Sequence, residues 1–114
     1  MFEYFDRDEF KCSHTGTNKI QDEFIHKLDA LRYECAFPFV ITSGYRHATH
    51  PIEARKKTPG MHNKGIAADI KIKDGVQRRK LIEAALKLGF NGIGIANSFI
   101  HVDTRDDTPV MWLY

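Results

Sequence analysis

Two stretches of strict alternation stand out along the chain. From Gly65, residues Ile66, Ala68, Ile70 and Ile72 alternate with Ala67, Asp69 and Lys71, the period-two pattern of a strand with one face on a core. A strand is predicted from Gly65 to Lys73, with Asp69 on its polar face beside small Ala67, which leaves room for a ligand. In Ser98 to Arg105 the pattern repeats: Ile100 and Val102 share a core face, and Phe99, His101 and Asp103 share the other.

Helical spacing is equally distinct. Ile20, Phe24, Leu28, Leu31 and Cys35 recur at four, four, three and four, predicting an amphipathic helix to about Glu34. Asn18 and Gln21 before it resemble a capping box. Asp74, with Gln77 three residues on, is placed to cap a second helix from Val76 to Leu88, stopped by Gly89 and packed through Ile82, Ala85 and Leu86. Shorter strands are expected at Phe37 to Thr42, at the glycine-broken Asn91 to Ile95, and at Val110 to Leu113 as a closing edge. Before Gly16 only a short strand or irregular arm is expected, around Phe5 to Cys12. His47 to Pro59 is polar and basic with no sustained period, a connection long enough to be functional or mobile. The elements mix without strict alternation. The expected fold is therefore α+β, one domain over residues 1–114: an antiparallel sheet with two main helices on one face.

Composition narrows the function classes. The 114 residues, 42% hydrophobic and 28% charged, suit one ordered domain with a modest core. A net charge of +2, from 17 basic and 15 acidic residues, is too weak to argue for nucleic acid, and the Arg78-Arg79-Lys80 run reads as a solvated helix face. No apolar run approaches membrane-spanning length, and the N-terminus lacks a basic region followed by an apolar stretch. The expectation is a monomer made as a soluble cytoplasmic product with no membrane partner. Cys12 and Cys35 are expected to be unpaired. Cys12-Ser13-His14 is half of a metal motif with no second half in the sequence. His14 and His26 read as surface or core residues; His47 and His50 flank the Arg46 turn, either lining the cleft or simply belonging to the loop.

The chemistry lies in three residues. Pro59 and Gly60 lead into His62, a histidine on the loop that feeds the Asp69 strand. If the His101 strand lies beside the Asp69 strand in one sheet, His62, Asp69 and His101 converge on its open side. Two imidazoles and one carboxylate suit zinc, and three protein ligands leave a fourth position open, as in catalytic sites. Structural zinc sites are more often closed by four ligands, usually with cysteines.

With these stretches and Ser43-Gly44-Tyr45-Arg46 in place, the chain resembles the zinc D-alanyl-D-alanine carboxypeptidase family, most nearly its small, often phage-encoded branch, whose fold is shared with the hedgehog signalling domain. The resemblance runs from Phe10 through Tyr114. It rests on Ser43-Gly44-Tyr45-Arg46, on His62 followed by Gly65, Ala67 and Asp69, and on Phe99 to Asp103 with Thr104-Arg105. It implies zinc held by His62, Asp69 and His101, a peptidoglycan stem or cross-bridge peptide as substrate, action on the cell wall, and Arg46 binding a substrate carboxylate or a developing oxyanion. One departure concerns the general base. Where larger relatives carry an acid or an extra histidine before the last ligand, this chain has Ile95, Asn97, Ser98 and Phe99. Asp103 is then either the base or the carboxylate that orients a ligand, with Glu53 in the long loop a further candidate. The missing base supports a second reading, a zinc-stabilised cell-wall-binding or virion module without turnover. Tyr45, Phe99 and Trp112 are expected in the core or at the rim, and Arg105 is expected to pair with Asp106 or Asp107.

Overall fold

The structure, a computed structural model, describes residues 2–58 and 60–114. Pro59, the first half of the expected turn before His62, lies outside them. In chain order the elements are a 3-10 turn (Arg7–Phe10), α1 (Asp22–Cys35), β1 (Ile41–Ser43), α2 (Pro51–Ala54), β2 (Ala67–Lys71), α3 (Gly75–Lys87), β3 (Gly92–Ile95), β4 (Phe99–Asp103) and β5 (Val110–Leu113). The strands form one sheet in the order β1-β2-β4-β3-β5. The α+β class is as expected. Three of the four pairings are antiparallel, but β5 runs parallel to β3, so the sheet is mixed. The chain between β4 and β5 returns to the start of β3, where the Val110 N–H meets the Asn91 carbonyl at 2.8 Å.

The two alternations predicted from sequence meet in register. Asp69 lies opposite His101, Ala67 opposite Asp103 and Ile70 opposite Ile100. One sheet face therefore carries Ala68, Ile70, Ile100, Val102 and Ile93. These join Phe24, Ile25, Leu28 and Leu31 of α1 and Leu81, Ala84 and Ala85 of α3 in a single core. The opposite face carries Ser43, Asp69, His101, Gly94 and Trp112 in one row across all five strands.

Several local expectations are corrected. The N-terminal arm contains a 3-10 turn rather than a strand, because Asp6 and Glu9 form a reciprocal capping box around it. Asn18 does not cap α1. Its side chain bonds the Ile20 N–H and the Arg7 carbonyl, and Gln21 takes the N-cap position without a side-chain bond. The 47–59 connection contains a helical turn, with the His50 imidazole accepting the Ile52 N–H and Pro51 at its first position. α3 is capped by Asp74 as predicted, but its buried stripe is Leu81, Ala84 and Ala85, and Leu86 is 57% exposed. β1 is shorter than its apolar run; Phe37 and Phe39 fill the core from the preceding loop. Cys12 and Cys35 are both buried and unpaired, and burial pushes the Cys35 thiol up to about 11.

Leu28 is fully buried where α1 meets the sheet. Leu28→Ala is expected to cost about 2–5 kcal/mol, measured by chemical denaturation with an unchanged slope.

Candidate metal centre

The site is built from three segments whose paths are set by backbone contacts. Gly65 ends the loop that carries His62. Its φ is +77°, and a Cβ there would come within 2.3 Å of the Lys19 carbonyl oxygen, so a side chain is excluded on both conformational and steric grounds. His62 is then fastened to the Ser43-Gly44-Tyr45-Arg46 segment twice. Its Nδ1 lies 2.7 Å from the Gly44 carbonyl, and its own carbonyl accepts the Arg46 N–H. Asp69 and His101 come from the paired strands β2 and β4.

Proton positions follow from the chemistry of the partners. A carbonyl only accepts, so His62 carries its hydrogen on Nδ1 and presents a bare Nε2. His101 Nε2 is 2.6 Å from Asp103 Oδ2. That carboxylate is ionised, so His101 carries its hydrogen on Nε2 and presents a bare Nδ1. Three lone pairs thus converge: His62 Nε2 to Asp69 Oδ1 is 3.3 Å, His101 Nδ1 to Asp69 Oδ1 is 3.1 Å, and His101 Nδ1 to His62 Nε2 is 3.2 Å. An ion about 2.0–2.1 Å from each of three tetrahedral ligands needs donors about 3.3 Å apart. The observed triangle has that size, and its donor types are those of zinc. All three residues are 4–5% exposed, and they are the metal-capable cluster found among the described residues.

The family model for Peptidase M15 matches residues 3–103. The chain belongs to the M15 peptidase family. The match takes in His62, Asp69, His101 and Arg46 and ends at Asp103, before β5 begins. Membership makes this M15 chain a peptide-bond hydrolase by family, and zinc is the usual metal of M15 peptidases. No curated protein matches the chain.

The electrostatics of the M15 site fit the same picture. Burial would raise the Asp69 carboxyl, but His101 and His62, each able to donate to it once its ring is protonated, outweigh burial and hold the group well below the usual carboxylate range. Asp103 behaves alike: burial opposes ionisation, and Arg105 and His101 overcome it. Burial pushes His62 down, keeping it neutral. For His101 burial is outweighed by bonds to Asp103 and Asp69, and its pKa is raised.

The remaining sequence candidates fall into place around these groups. Arg46 is at the site, with NH2 3.4 Å from Asp69 Oδ2 and Nε 3.1 Å from Ser43 Oγ. Asp103 lies behind His101, on the side away from Asp69. It is 0% exposed, and both its oxygens are bonded to His101 or Arg105. Of its two candidate roles, the geometry offers orientation of His101. Glu53 is not among the converging donors. It is buried in the 47–60 loop, accepts the Gly60 N–H, and has Oε2 3.4 Å from Lys56 Nζ without a well-formed hydrogen bond; it ties down the loop leading to His62. Sequence reasoning missed three contributors. The Gly44 carbonyl has no side-chain signal. Arg105 pairs with Asp103 rather than with Asp106 or Asp107. Trp112, read as core or rim, packs 5.0 Å from the His101 ring.

In the metal-free protein His101 holds a proton over a wider pH range than free histidine, and His62 over a narrower one. A metal must displace the His101 proton. Zinc uptake near pH 6 is therefore expected to release about one proton, falling toward none as pH rises through the elevated pKa, with affinity rising over that interval. Calorimetry in buffers of different ionisation enthalpy measures this. Trp112, the sole tryptophan, should report the same titration by fluorescence.

Proposed function

We propose that this protein is a zinc-dependent peptidase that hydrolyses peptide bonds of bacterial peptidoglycan, of the carboxypeptidase or endopeptidase type of the small phage-encoded branch, acting as a monomer. The observation that supports it is the triangle of bare donors at tetrahedral spacing in an M15 chain. Zinc held there supplies Lewis acidity to the scissile carbonyl and to the water that attacks it.

The protein's own residues supply orientation and charge. Gly44 and Asp103 hold the two imidazoles with their lone pairs inward. Ser43 and Asp69 hold the Arg46 guanidinium beside the donors. Its remaining N–H groups serve a substrate carboxylate or the carbonyl oxygen as it gains charge. Each buried carboxylate has its own guanidinium, Asp69 with Arg46 and Asp103 with Arg105. With neutral imidazoles the protein part of the site has no net charge, so a divalent ion makes it cationic. That suits substrates bearing free carboxylates, as cell-wall stem peptides do.

One observation favours the second reading, a zinc-stabilised cell-wall-binding or virion module. Among the described residues the candidate bases stand apart from the converging donors: Asp103 is bonded to His101 Nε2 and Arg105, and Glu53 is tied through Oε1 to Gly60 in the loop. Incubation of the zinc-loaded protein with purified peptidoglycan, read by mass spectrometry, separates the two. The peptidase is expected to release D-alanine or create new amino termini, to lose this with chelator and to regain it with zinc. His62→Ala should abolish both metal and turnover. Arg46→Ala should keep the metal and lower kcat/KM about 100-fold. Intact peptides with fully retained zinc would establish the module instead.

A further inference from the structure

Arg105 and Trp112 lie beyond the span of the family match, yet Arg105 grips the Asp103 carboxylate behind His101 and Trp112 packs against the His101 ring. We propose that they are positioning residues, closing a four-membered ring of side chains, His101–Asp103–Arg105–Trp112, that locks His101 as an Nδ1 ligand. The inference rests on the metal-site reading above but gives Arg105 and Trp112 a role that reading does not.

An imidazole on a strand presents either nitrogen by turning over, and the partner of the other nitrogen decides which. Asp103 is that partner for His101 Nε2, two residues along the same strand face. A carboxylate with one partner would itself be free to rotate. Arg105 prevents this with three bonds: its backbone N–H and Nε donate to Oδ1 at 3.1 and 2.9 Å, and NH2 donates to Oδ2 at 2.7 Å. The fork matches the carboxylate edge in a way that a lysine's point charge does not.

The guanidinium is held in turn. It lies over the Trp112 ring, 5.3 Å from the centroid, and the same indole packs against His101 at 5.0 Å. Trp112 thus touches both ends of the His101–Asp103–Arg105 series and closes it.

The sheet is shaped to admit this ring. β3 places Gly92 opposite Asp103, and Gly94 opposite both His101 and Trp112. A Cβ at Gly92 would sit 2.1 Å from the Asp103 carboxylate, and one at Gly94 would sit 2.7 Å from the indole. Glycine inside a strand weakens it. Here both inward positions are empty because the neighbouring strands lay a carboxylate and an indole across them.

The ring also has an electrostatic role. Asp69 and Asp103 lie on opposite sides of the His101 ring. Without Arg105 the second of these buried charges would lose its cation and the fork that fixes its plane, and the acceptor that keeps the hydrogen on His101 Nε2 would no longer be held in place.

The test uses Arg105→Gln, Arg105→Lys and Trp112→Phe in the full chain. Long-range proton–nitrogen NMR of the metal-free protein reads the His101 tautomer directly. Recorded at alkaline pH, where the ring is neutral, wild type should show hydrogen on Nε2 alone, and Arg105→Gln a mixture. Chelator competition should show zinc affinity reduced about 10–100-fold in Arg105→Gln, with partial recovery in Arg105→Lys and a smaller loss in Trp112→Phe, which keeps a ring in place and guards against misfolding. A single Nε2–H tautomer with wild-type zinc affinity in Arg105→Gln and Trp112→Phe would overturn the proposal, even if both melt at lower temperature. Failure of the wild type to bind zinc would instead overturn the metal reading, and the tautomer measurement would still decide the ring.

Discussion

Three lone pairs aimed at one point are the constraint on which the rest of this structure depends. His62 Nε2, Asp69 Oδ1 and His101 Nδ1 lie 3.1–3.3 Å apart, and in the neutral tautomers dictated by Gly44 and Asp103 no hydrogen lies between them. Such an arrangement is repulsive unless a cation occupies its centre. A proton on His101 does so in part, and Asp103 behind the ring and Asp69 before it favour that proton despite burial; a divalent ion does so fully. The surrounding protein is organised to keep the donors there despite that repulsion. Each ligand has a second bond directed away from the centre: His62 to a backbone carbonyl, His101 to Asp103, and Asp69 to Arg46.

This explains the uneven chemistry of the two sheet faces. The helix-covered face is aliphatic and aromatic throughout, and its burial holds the strands in register. The other face collects two carboxylates, two guanidiniums and two imidazoles, with room left by Ala67, Gly92 and Gly94. Buried charges are tolerated only when paired and hydrogen-bonded, and here each carboxylate has both an imidazole and a guanidinium. The fold therefore separates its tasks: stability comes from one side of a single sheet, and ligand geometry from the other.

Much of this was legible along the chain. The alternations around Asp69 and His101 declared both strands and both faces, because a period of two leaves no choice of which side chains travel together. The stripe of Ile20, Phe24, Leu28 and Leu31 declared α1 for the same reason at helical period. Legibility failed where local bonds outweighed pattern. Asp6 and Glu9 wound the N-terminal arm into a 3-10 turn, Asn18 spent its amide on Arg7 and Ile20 rather than on a cap, and His50 with Pro51 started a helical turn in a stretch with no period. In α3 the expected face held at Ala85 and in part at Ile82, but Leu81 took the buried place expected of Leu86, because both are equally apolar and only the approach of α1 and the sheet selects between them.

The sequence by itself determined the candidate ligand set, the two strands that carry most of it and the alternation that puts them on one face, since all of these follow from residue type and local period. Only the tertiary structure decided which nitrogen of each histidine faces inward, that Asp103 stands behind His101, and that Arg105 and Trp112 complete its support. The last of these depends on the parallel return of β5 against β3 and on the two glycines of β3 that let the Asp103 carboxylate and the Trp112 indole lie across the sheet. Contacts between residues remote along the chain leave no periodic trace in the sequence that makes them.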